Sequence, residues 1–365
     1  MAHGEKDDCS ISFDPPVFRQ RYSRVTEIII ENNCTSVIDL GCAECTLVSI
    51  LNNNAALTHV VGVDINMQLL KFNQFKAKPL GWEFIDPFRL HPFNCTLYCG
   101  DVSKTDARLL NHDAVVAVEL IEHLNEDELA AFPNTVFGYI RPRIVVITTP
   151  NSEYNTFFNI DSGCFRHWDH KFEWNRAEFE EWCQNISSKY DYFYEISFVG
   201  YLKSVTRDLG GCSQLAVFSL NSYSEWMPDD IPSDTPYTLV AAFNFPYDSR
   251  SLDERREAEV QYAIDQLVYE IQQEADCYYQ IRTAMTPLSD IFESFRVKRL
   301  FENFQQFNDW LISTNFYPLV SQCVFSTLQP RPFSDYSSES SEYEGNEQQI
   351  VTAFNNQLSL IDEHW

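Results

Sequence analysis

Two carboxylates and an imidazole stand close together in the segment Glu119-Leu120-Ile121-Glu122-His123. In a helical turn, positions i, i+3 and i+4 share one face, so Glu119, Glu122 and His123 would converge. Carboxylates and imidazoles are common ligands of divalent metal ions. The segment therefore predicts a metal site, against the simpler alternative of a solvated, charged helix start.

A second group of histidines lies in the segment FRHWDHKFEW, which begins at Phe165. His167 and His170 are both candidates for a fourth ligand, and spacing alone does not choose between them. A site with two imidazoles accepts Mn²⁺ or another transition ion readily, whereas Mg²⁺ ordinarily prefers oxygen ligands. The sequence thus predicts a divalent ion and leaves its identity open.

Acidic residues and a glycine follow three predicted strands in a pattern typical of a nucleotide-type cofactor pocket. Asp39 lies at the end of the first strand, and Gly41 makes the turn into a helix. Asp64 ends the next strand, where a carboxylate can accept hydrogen bonds from both hydroxyls of a ribose. Asp101 follows the third strand and would meet an adenine amino group or the pocket rim.

The turn after the first strand distinguishes between cofactors. It reads GCAEC, with Gly41 as its one glycine and with Glu44, whose charge would repel a phosphate. S-adenosylmethionine has no phosphate and carries a positive sulfonium. The turn therefore favours S-adenosylmethionine over a dinucleotide, although a lone glycine at such a turn is also ordinary in α/β folds.

The elements that position these residues alternate between short apolar runs and helix-forming stretches. Alternation of this kind predicts a parallel sheet with helices on both faces. Two further strands follow without a helix between them and predict an antiparallel edge. The predicted parallel strands are residues 37–40, 60–64, 96–99, 114–118 and 144–149, and the predicted edge strands are 192–199 and 212–220.

Composition divides the rest of the chain. Residues 221–235 are rich in Pro, Ser and Asp and predict a linker. Residues 236–330 predict a mainly helical appendage, with a strand at 237–245 and helices at about 252–282 and 294–311. After Arg331 the chain has no Lys or Arg, and residues 331–365 predict an acidic disordered tail. Residues 1–14 predict a flexible amino terminus.

The charge balance limits the possible partners. With 26 Lys and Arg against 53 Asp and Glu, the chain has a formal net charge of −27, which argues against a long basic face for nucleic acid. Its 11 cysteines show no pair of CxxC motifs, as expected of reduced thiols. No apolar run approaches the ~20 residues that span a membrane, so we expect a soluble, unsecreted protein.

In these motifs the sequence resembles the Hua-enhancer-type small-RNA 3′-terminal 2′-O-methyltransferases. The matching pieces are VIDLGC, GVDIN, ELIEHL, FGYIRPRIVVITTPNSEYN and DHKFEW, which span roughly residues 15–220 in unbroken order. The resemblance implies an α/β, Rossmann-like S-adenosylmethionine-dependent methyltransferase domain over 15–220. It also implies transfer of a methyl group to the 2′-hydroxyl of the 3′-terminal nucleotide of small RNAs, which protects that end.

The family's site residues carry over to positions of this chain. The resemblance implies that Glu119, Glu122, His123 and His170 hold a divalent metal, Mg²⁺ or Mn²⁺, which favours His170 over His167. Its cofactor contacts fall on Gly41, Asp64 and Asp101, beside Asp39, while Ala43 stands where the family often has glycine. The metal would activate the ribose hydroxyl, with His123 or a water as proton acceptor.

The resemblance also implies partners. The layout looks like the animal type, which implies Piwi-interacting RNAs, possible small interfering RNAs, and a Piwi or Argonaute protein that presents the single-stranded 3′ end, in the cytoplasm and its germ granules. No DNA or membrane is expected. Arg166, Lys171, Arg141 and Arg143 are candidates for the last phosphates. The alternatives are a metal-independent small-molecule methyltransferase and a non-catalytic Argonaute-binding scaffold.

Overall fold

The computed structural model describes residues 12–158, 160, 164–202, 209–221, 235–278 and 288–314. The predicted acidic tail, most of the predicted linker and most of the predicted amino-terminal segment lie outside these residues. The chain divides into two compact units, Met1–Ser249 and Arg250–Trp365. No helix among the described residues has the length and apolarity needed to cross a membrane.

The first unit is a mixed eight-stranded sheet with helices on both faces, as the sequence predicts. Its strands are β1 (Ser36–Leu40), β2 (His59–Asp64), β3 (Phe93–Cys99), β4 (Ala114–Val118), β5 (Ile144–Pro150), β6 (Tyr192–Val199), β7 (Ser213–Leu220) and β8 (Thr238–Phe245). Its α-helices are α1 (Val17–Glu31), α2 (Thr46–Leu51), α3 (Met67–Asn73), α4 (Glu126–Pro133) and α5 (Arg176–Tyr190). Helix α4 continues into a wider π-helical segment, Asn134–Ile140.

The strands lie in the order β6-β7-β5-β4-β1-β2-β3-β8. Strands β1 to β5 are parallel, and β7 is antiparallel to both β5 and β6, which confirms the predicted edge. The chain order reverses beside β1, which lies between β4 and β2. In open α/β sheets such a switch point opens a crevice at the carboxyl ends of the strands, where ligands bind.

Alternating side chains of the sheet build two cores. In β1, Val37 packs into the core that also contains Ile29 of α1, while Ile38 packs into the opposite core with Phe179 of α5. Because successive residues of a strand point to opposite faces, both faces of an apolar strand must be covered by helices. This packing fixes the strand ends that carry the polar residues of the site.

The eighth strand corrects the predicted boundary. The sequence places the domain end near Leu220 and assigns residues 237–245 to the appendage. The strand forms as Thr238–Phe245, but it pairs antiparallel with β3 inside the sheet, with Phe245 opposite Phe93 and their rings 4.8 Å apart. The pairing covers the edge of β3 with a strand that follows in the sequence only after a long connection, and local patterns do not encode such a partner.

The second unit is helical, as predicted, with α6 (Leu252–Tyr278), α7 (Leu288–Glu293), α8 (Phe295–Lys298) and α9 (Phe304–Ser313). The prediction of a single helix at 294–311 is wrong, because helix α8 ends at Lys298 and a new helix, α9, begins after Asn303. Asn303 caps α9 by accepting a hydrogen bond from the Gln306 amide at 2.9 Å. Phe307 and Leu311 of α9 pack with Ile264 of α6 in a core of this unit.

Candidate active site

The predicted carboxylates, Glu119 and Glu122, lie in a turn after β4 that is tighter than the predicted α-helical turn. Glu119 has a positive φ of 51°, and a 3₁₀ turn, Ile121–His123, follows. The Glu119 amide donates to the Thr148 carbonyl of β5, 3.0 Å away. A left-handed residue outside glycine is strained, and such residues gather at functional sites. The predicted helical turn is therefore a strand-end corner followed by a short turn.

Glu119 is anchored on several sides. Its Oε1 accepts hydrogen bonds from Thr148 Oγ1 at 2.9 Å and from Ser213 Oγ at 3.1 Å. Its Oε2 lies 3.2 Å from a guanidinium nitrogen of Arg21, which also donates to Ser213 Oγ at 3.0 Å. Helix α1 and strand β7 thus both contribute to the site, and Arg21 supplies its positive charge.

Glu122 is fully buried. Its Oε2 accepts a hydrogen bond from Thr149 Oγ1 at 3.0 Å, whereas its Oε1 has no hydrogen-bond partner among the described residues. Burial, and next the neighbouring Glu119 carboxylate, raise the pKa of Glu122 well above its ordinary value. A buried carboxylate oxygen without a partner is unfavourable on its own, so this atom fits a position beside a cation.

Three histidines meet next to this turn. The ring nitrogens that His123, His167 and His170 can offer to a metal all lie within 4.8 Å of one another. His123 belongs to the β4 turn, and the other two belong to the lid loop (residues 164–174). The Lys171 amide donates to the Glu122 carbonyl at 2.8 Å, which fastens the lid loop to the turn. Burial and the nearby His170 lower the pKa of His123.

Hydrogen bonds at Nδ1 distinguish the two lid histidines. His170 Nδ1 lies 2.6 Å from Glu173 Oε1, so it donates to that carboxylate and leaves Nε2 as the ligand atom. Burial opposes the charged form of Glu173, but hydrogen bonds from His170, Asn155 and the Arg166 amide outweigh it and lower the pKa of Glu173. His167 Nδ1 instead accepts from the Asp169 amide at 3.3 Å, which in a neutral ring places the proton on Nε2.

Two of the predicted cofactor residues, Gly41 and Asp64, lie at the carboxyl ends of the neighbouring strands β1 and β2. Gly41 has a φ of 75°, and a Cβ atom there would lie 2.7 Å from Leu120 Cδ1, so both backbone and space require glycine. Asp64 accepts a hydrogen bond from the Ala43 amide at 2.9 Å with one oxygen, and from the Asn66 amide at 2.8 Å with the other. The carboxylate is thereby fixed at the carboxyl end of β2.

Ala43 and Asp39 depart from the simplest expectation. Ala43 has a φ of 44°, in the left-handed region that favours glycine, which explains why an alanine is unusual here. Asp39 is buried, and one of its oxygens has no hydrogen-bond partner among the described residues. Burial, then Cys45 and Asp64, raise the pKa of Asp39 well above its ordinary value. Asp39 therefore lies in the interior of the domain and not at its surface.

Asp101 is held by a residue that the sequence did not single out. Its Oδ1 accepts hydrogen bonds from the Ser103 amide at 2.9 Å and from Ser103 Oγ at 2.7 Å. The Tyr237 hydroxyl donates to the Asp101 carbonyl at 2.9 Å, and the Tyr237 ring packs so closely that a Cβ on Gly100 would approach it to 2.4 Å. Tyr237, directly before β8, thus holds the loop after β3 in place.

The two basic candidates in the lid loop for phosphate contacts, Arg166 and Lys171, differ in their surroundings. The Arg166 guanidinium donates to Asn155 Oδ1 at 2.6 Å, to the Cys212 carbonyl at 2.9 Å and to the Asn151 carbonyl. It therefore fastens the lid loop to the strand ends. Lys171 is exposed, with Nζ 3.2 Å from Asp169 Oδ1, and stays available to a phosphate at the surface.

Two other basic candidates lie at the end of the sheet opposite to the site. Arg141 and Arg143 directly precede β5, at its amino end, whereas the site is at the carboxyl ends of the parallel strands. Arg143 donates to the Asn32 carbonyl at 2.9 Å, which ties the β5 start to the end of α1. Position along a strand, which the sequence does provide, could have excluded both.

Several residues of the site escaped sequence reasoning. Arg21 is part of α1, a helix that no motif marks, and its partner Glu119 is far from it in the sequence. Thr148 and Thr149 did leave a signal, because they are polar residues at the end of the otherwise apolar run IVVITTP. A fully buried strand that ends in hydroxyl groups indicates partners at that end.

The chain is similar in sequence to known proteins. No family model matches the chain. A small RNA 2′-O-methyltransferase from Mus musculus is 40% identical over 211 residues, which cover 58% of this chain and 53% of the mouse protein. One from Drosophila melanogaster is 30% identical over 362 residues, covering 91% of each chain.

A solved structure is also similar to this chain. The crystal structure of the small RNA methyltransferase HEN1 superposes with a TM-score of 0.55 at 28% identity, over 67% of this chain and 30% of that one. This chain spans between 53% and 63% of the length of the mouse, rat and chicken relatives. The match to the Drosophila protein nevertheless extends over both units of this chain. The chain therefore belongs to the small RNA 2′-O-methyltransferase family.

Proposed function

We propose that this chain transfers a methyl group from S-adenosylmethionine to the 2′-hydroxyl of the 3′-terminal nucleotide of small RNAs, with a divalent metal bound beside the β4 turn. The observation that carries the proposal is the buried Glu122 carboxylate, whose Oε1 has no partner among the described residues. Glu122 directly precedes His123, whose ring nitrogen lies close to those of His167 and His170. Methylation would protect the 3′ end of the RNA.

The cofactor belongs in the crevice between β1 and β2. Asp64 keeps acceptor capacity for ribose hydroxyls, because each of its oxygens accepts one backbone amide and a carboxylate oxygen can accept two hydrogen bonds. The acidic residues Glu44 and Asp101 suit a cofactor that carries a positive sulfonium and no phosphate. These features support S-adenosylmethionine.

The donor set fits a divalent metal. We assign Glu119, Glu122, His123 and His170 as its ligands, because two carboxylates and two imidazoles suit Mn²⁺ or a similar ion, and tolerate Mg²⁺. When bound, the metal would lower the pKa of an oxygen that it contacts. His123 Nδ1 lies 3.2 Å from Asp169 Oδ2 and His170 Nδ1 lies 2.6 Å from Glu173 Oε1, so carboxylates orient both rings with Nε2 left as the ligand atom.

The terminal nucleotide differs from every internal one by its free 3′-hydroxyl. A site that contacts the 2′ and 3′ oxygens together would therefore recognise the end of the strand without reading a base. Because His123 Nε2 is assigned to the metal, we assign the role of proton acceptor to a water molecule rather than to this imidazole. Lys171 is the cation of the lid loop that remains available for a terminal phosphate.

We infer that a Piwi or Argonaute protein presents the RNA, in the cytoplasm. The support is electrostatic, because a chain with net charge −27 has few cations to spare for phosphates. Free RNA should then bind with a slope of log K against log salt of about −1 to −3, at ~0.7 per phosphate contact. A slope steeper than about −5 would indicate an extended phosphate track and remove this support.

The proposed activity is tested with labelled cofactor and two short RNAs that differ only in carrying a 2′-hydroxyl or a 2′-deoxy 3′-terminal nucleotide. Label should enter the first RNA alone, and EDTA should abolish the transfer. Transfer that survives EDTA would favour a metal-independent methyltransferase. Equal labelling of both RNAs would place the methyl group elsewhere and contradict the proposal.

A further inference from the structure

Trp168 is the most exposed large apolar side chain among the described residues, at 87%. Tryptophan is usually well buried, because its large apolar surface is poorly hydrated. Trp168 is also part of the lid loop, two residues before a proposed metal ligand, and not of a terminus or a distant connection. Its exposure therefore needs an explanation that packing within the chain does not provide.

The backbone around Trp168 is fastened to the site. The His170 amide donates to the His167 carbonyl at 3.2 Å, which closes a turn with Trp168 near its tip. The Lys171 amide binds the Glu122 carbonyl at 2.8 Å, directly after this turn. These two backbone hydrogen bonds thus fix the position of the turn that carries Trp168.

Aromatic rings connect the indole to the site. The centroid of the Trp168 ring lies 5.4 Å from that of His167, whose ring lies 5.6 Å from His170 and 5.9 Å from His123. The indole is therefore one ring removed from the imidazoles to which we assign the metal. A ligand group that extends outward from the metal position would reach the indole next.

We propose that Trp168 forms a base-binding subsite, on which the unpaired base of the 3′-terminal nucleotide or its neighbour stacks. The inference rests on the proposed function. In a nucleotide the base is attached to C1′ of the ribose and the reacting hydroxyl to C2′, so the base must lie next to the reacting oxygen. Stacking on an aromatic side chain is the usual way in which single-stranded RNA is bound, and every base offers a π-face.

The subsite has a consequence for the substrate. Stacking does not read hydrogen-bonding edges, so Trp168 would accept any terminal base while still requiring a base that is free to leave its own stack. A fully paired blunt end would be a poor substrate, and an RNA that ends in an abasic ribose would bind weakly although both ribose hydroxyls are present. The indole would then select a single-stranded 3′ end without selecting a sequence.

The direct test uses the full chain and an RNA whose 3′-terminal base is 2-aminopurine, which loses fluorescence when it stacks. Wild-type protein should quench the probe without cofactor. Trp168→Ala should abolish the quenching and weaken RNA binding about 5- to 100-fold, and Trp168→Phe should retain part of both. Trp82→Ala is the matched control, since Trp82 is 51% exposed but lies between α3 and β3, outside the lid loop, and should behave as wild type.

Methyl transfer provides the second readout. With abasic-ended RNA, the wild-type KM should approach that of Trp168→Ala with intact RNA, and kcat should change less than KM in both cases. Unchanged quenching and RNA affinity in Trp168→Ala would overturn the subsite, and would leave a protein-docking surface as the reason for the exposure. Because this outcome is compatible with full methyl transfer, it is distinguishable from failure of the proposed function, in which wild-type protein would methylate no RNA.

Discussion

Arg21 of helix α1 and Glu119 at the end of β4 form an ion pair, with 3.2 Å between a guanidinium nitrogen and Oε2. Both side chains are mostly shielded from water, at 17% and 20% exposure. The pair brings a cation to a site that otherwise combines two carboxylates, Glu119 and Glu122. Helix α1 therefore contributes to the candidate active site, although its sequence carries no recognised motif.

Loss of this pair should destabilise the metal-free protein. Arg21→Met leaves Glu119 beside Glu122 without a counter-ion, and we expect a loss of about 1–3 kcal/mol of unfolding free energy in EDTA. Arg24→Met is the matched control, because Arg24 of the same helix pairs with Glu27 and Glu31 at the surface and should contribute less than about 1 kcal/mol. Urea unfolding measures both, and equal losses would show that the Arg21 pair has no special weight.

Metal and cofactor should be separable by substitution. Glu122→Gln keeps the shape of a buried side chain but removes its charge, so Mn²⁺ affinity should fall at least ~10-fold and methyl transfer should be lost. Cofactor affinity, measured by calorimetry, should stay near the wild-type value because Asp64 and Gly41 are on other loops. Parallel loss of both affinities would contradict the assignment of separate sites.

The reciprocal variant is Asp64→Ala. Removal of this carboxylate should weaken cofactor binding by ~1–3 kcal/mol, because it deletes acceptors for the ribose and also releases the Ala43 and Asn66 amides. Mn²⁺ binding should not change. Asp127→Ala, at an exposed position of α4, is the control that should alter neither. Unchanged cofactor affinity in Asp64→Ala would refute the ribose contact.

The clamp between Tyr237 and the loop after β3 predicts a steric effect. Gly100→Ala would press a Cβ to 2.4 Å from the Tyr237 ring, and we expect it to destabilise the first unit by about 1–3 kcal/mol. Gly81→Ala is the control, since no atom lies within 4 Å of a Cβ at that position. Thermal unfolding compares the two, and a Gly100 variant as stable as the Gly81 variant would exclude the close contact.

A histidine pair away from the site predicts acid sensitivity. His112 Nε2 lies 3.2 Å from His59 Nδ1, and burial, then His112, lower the pKa of His59 to about 4. The folded state therefore resists protonation that the unfolded state accepts below about pH 6.5. The contribution of His59 to stability is complete above that pH and is lost as the pH falls towards 4.

The measurement compares urea unfolding of the first unit at pH 6.5 and 4.5. Wild-type protein should lose about 1–3 kcal/mol more over this window than His59→Gln, which cannot take up the proton. His91→Gln keeps the His59–His112 pair and should retain the wild-type pH dependence. Identical losses in wild type and His59→Gln would mean that His59 titrates alike in both states.

Strand ends were predictable from the sequence because apolar runs and the acids that follow them are local features. Asp64 and Glu122 lie at the carboxyl ends of β2 and β4, as the runs VVGVD and AVVAV predict. The conformation of the β4 turn was not predictable. A positive φ at Glu119 depends on its amide reaching Thr148 of the neighbouring strand, which is a tertiary contact.

The contacts that the sequence did not predict are mainly those between residues far apart in the chain. Three contacts join segments that are far apart in the sequence: the pairing of β8 with β3, the ion pair between Arg21 and Glu119, and the packing of Tyr237 against Gly100. No residue pattern in either segment specifies such a partner. The choice between His167 and His170 likewise depends on Nδ1 hydrogen bonds, to the Asp169 amide and to Glu173, that spacing alone does not reveal.

The central claim is the position of the methyl group, and periodate tests it most directly. Periodate cleaves a terminal ribose only when its 2′ and 3′ hydroxyls are both free, and subsequent β-elimination removes that nucleotide. After incubation with the full chain, S-adenosylmethionine and Mn²⁺, a short RNA should keep its length through this treatment, while RNA incubated with Glu122→Gln should become shorter. RNA that takes up labelled methyl groups and is still shortened would carry them elsewhere, and would contradict 2′-O-methylation of the 3′ end.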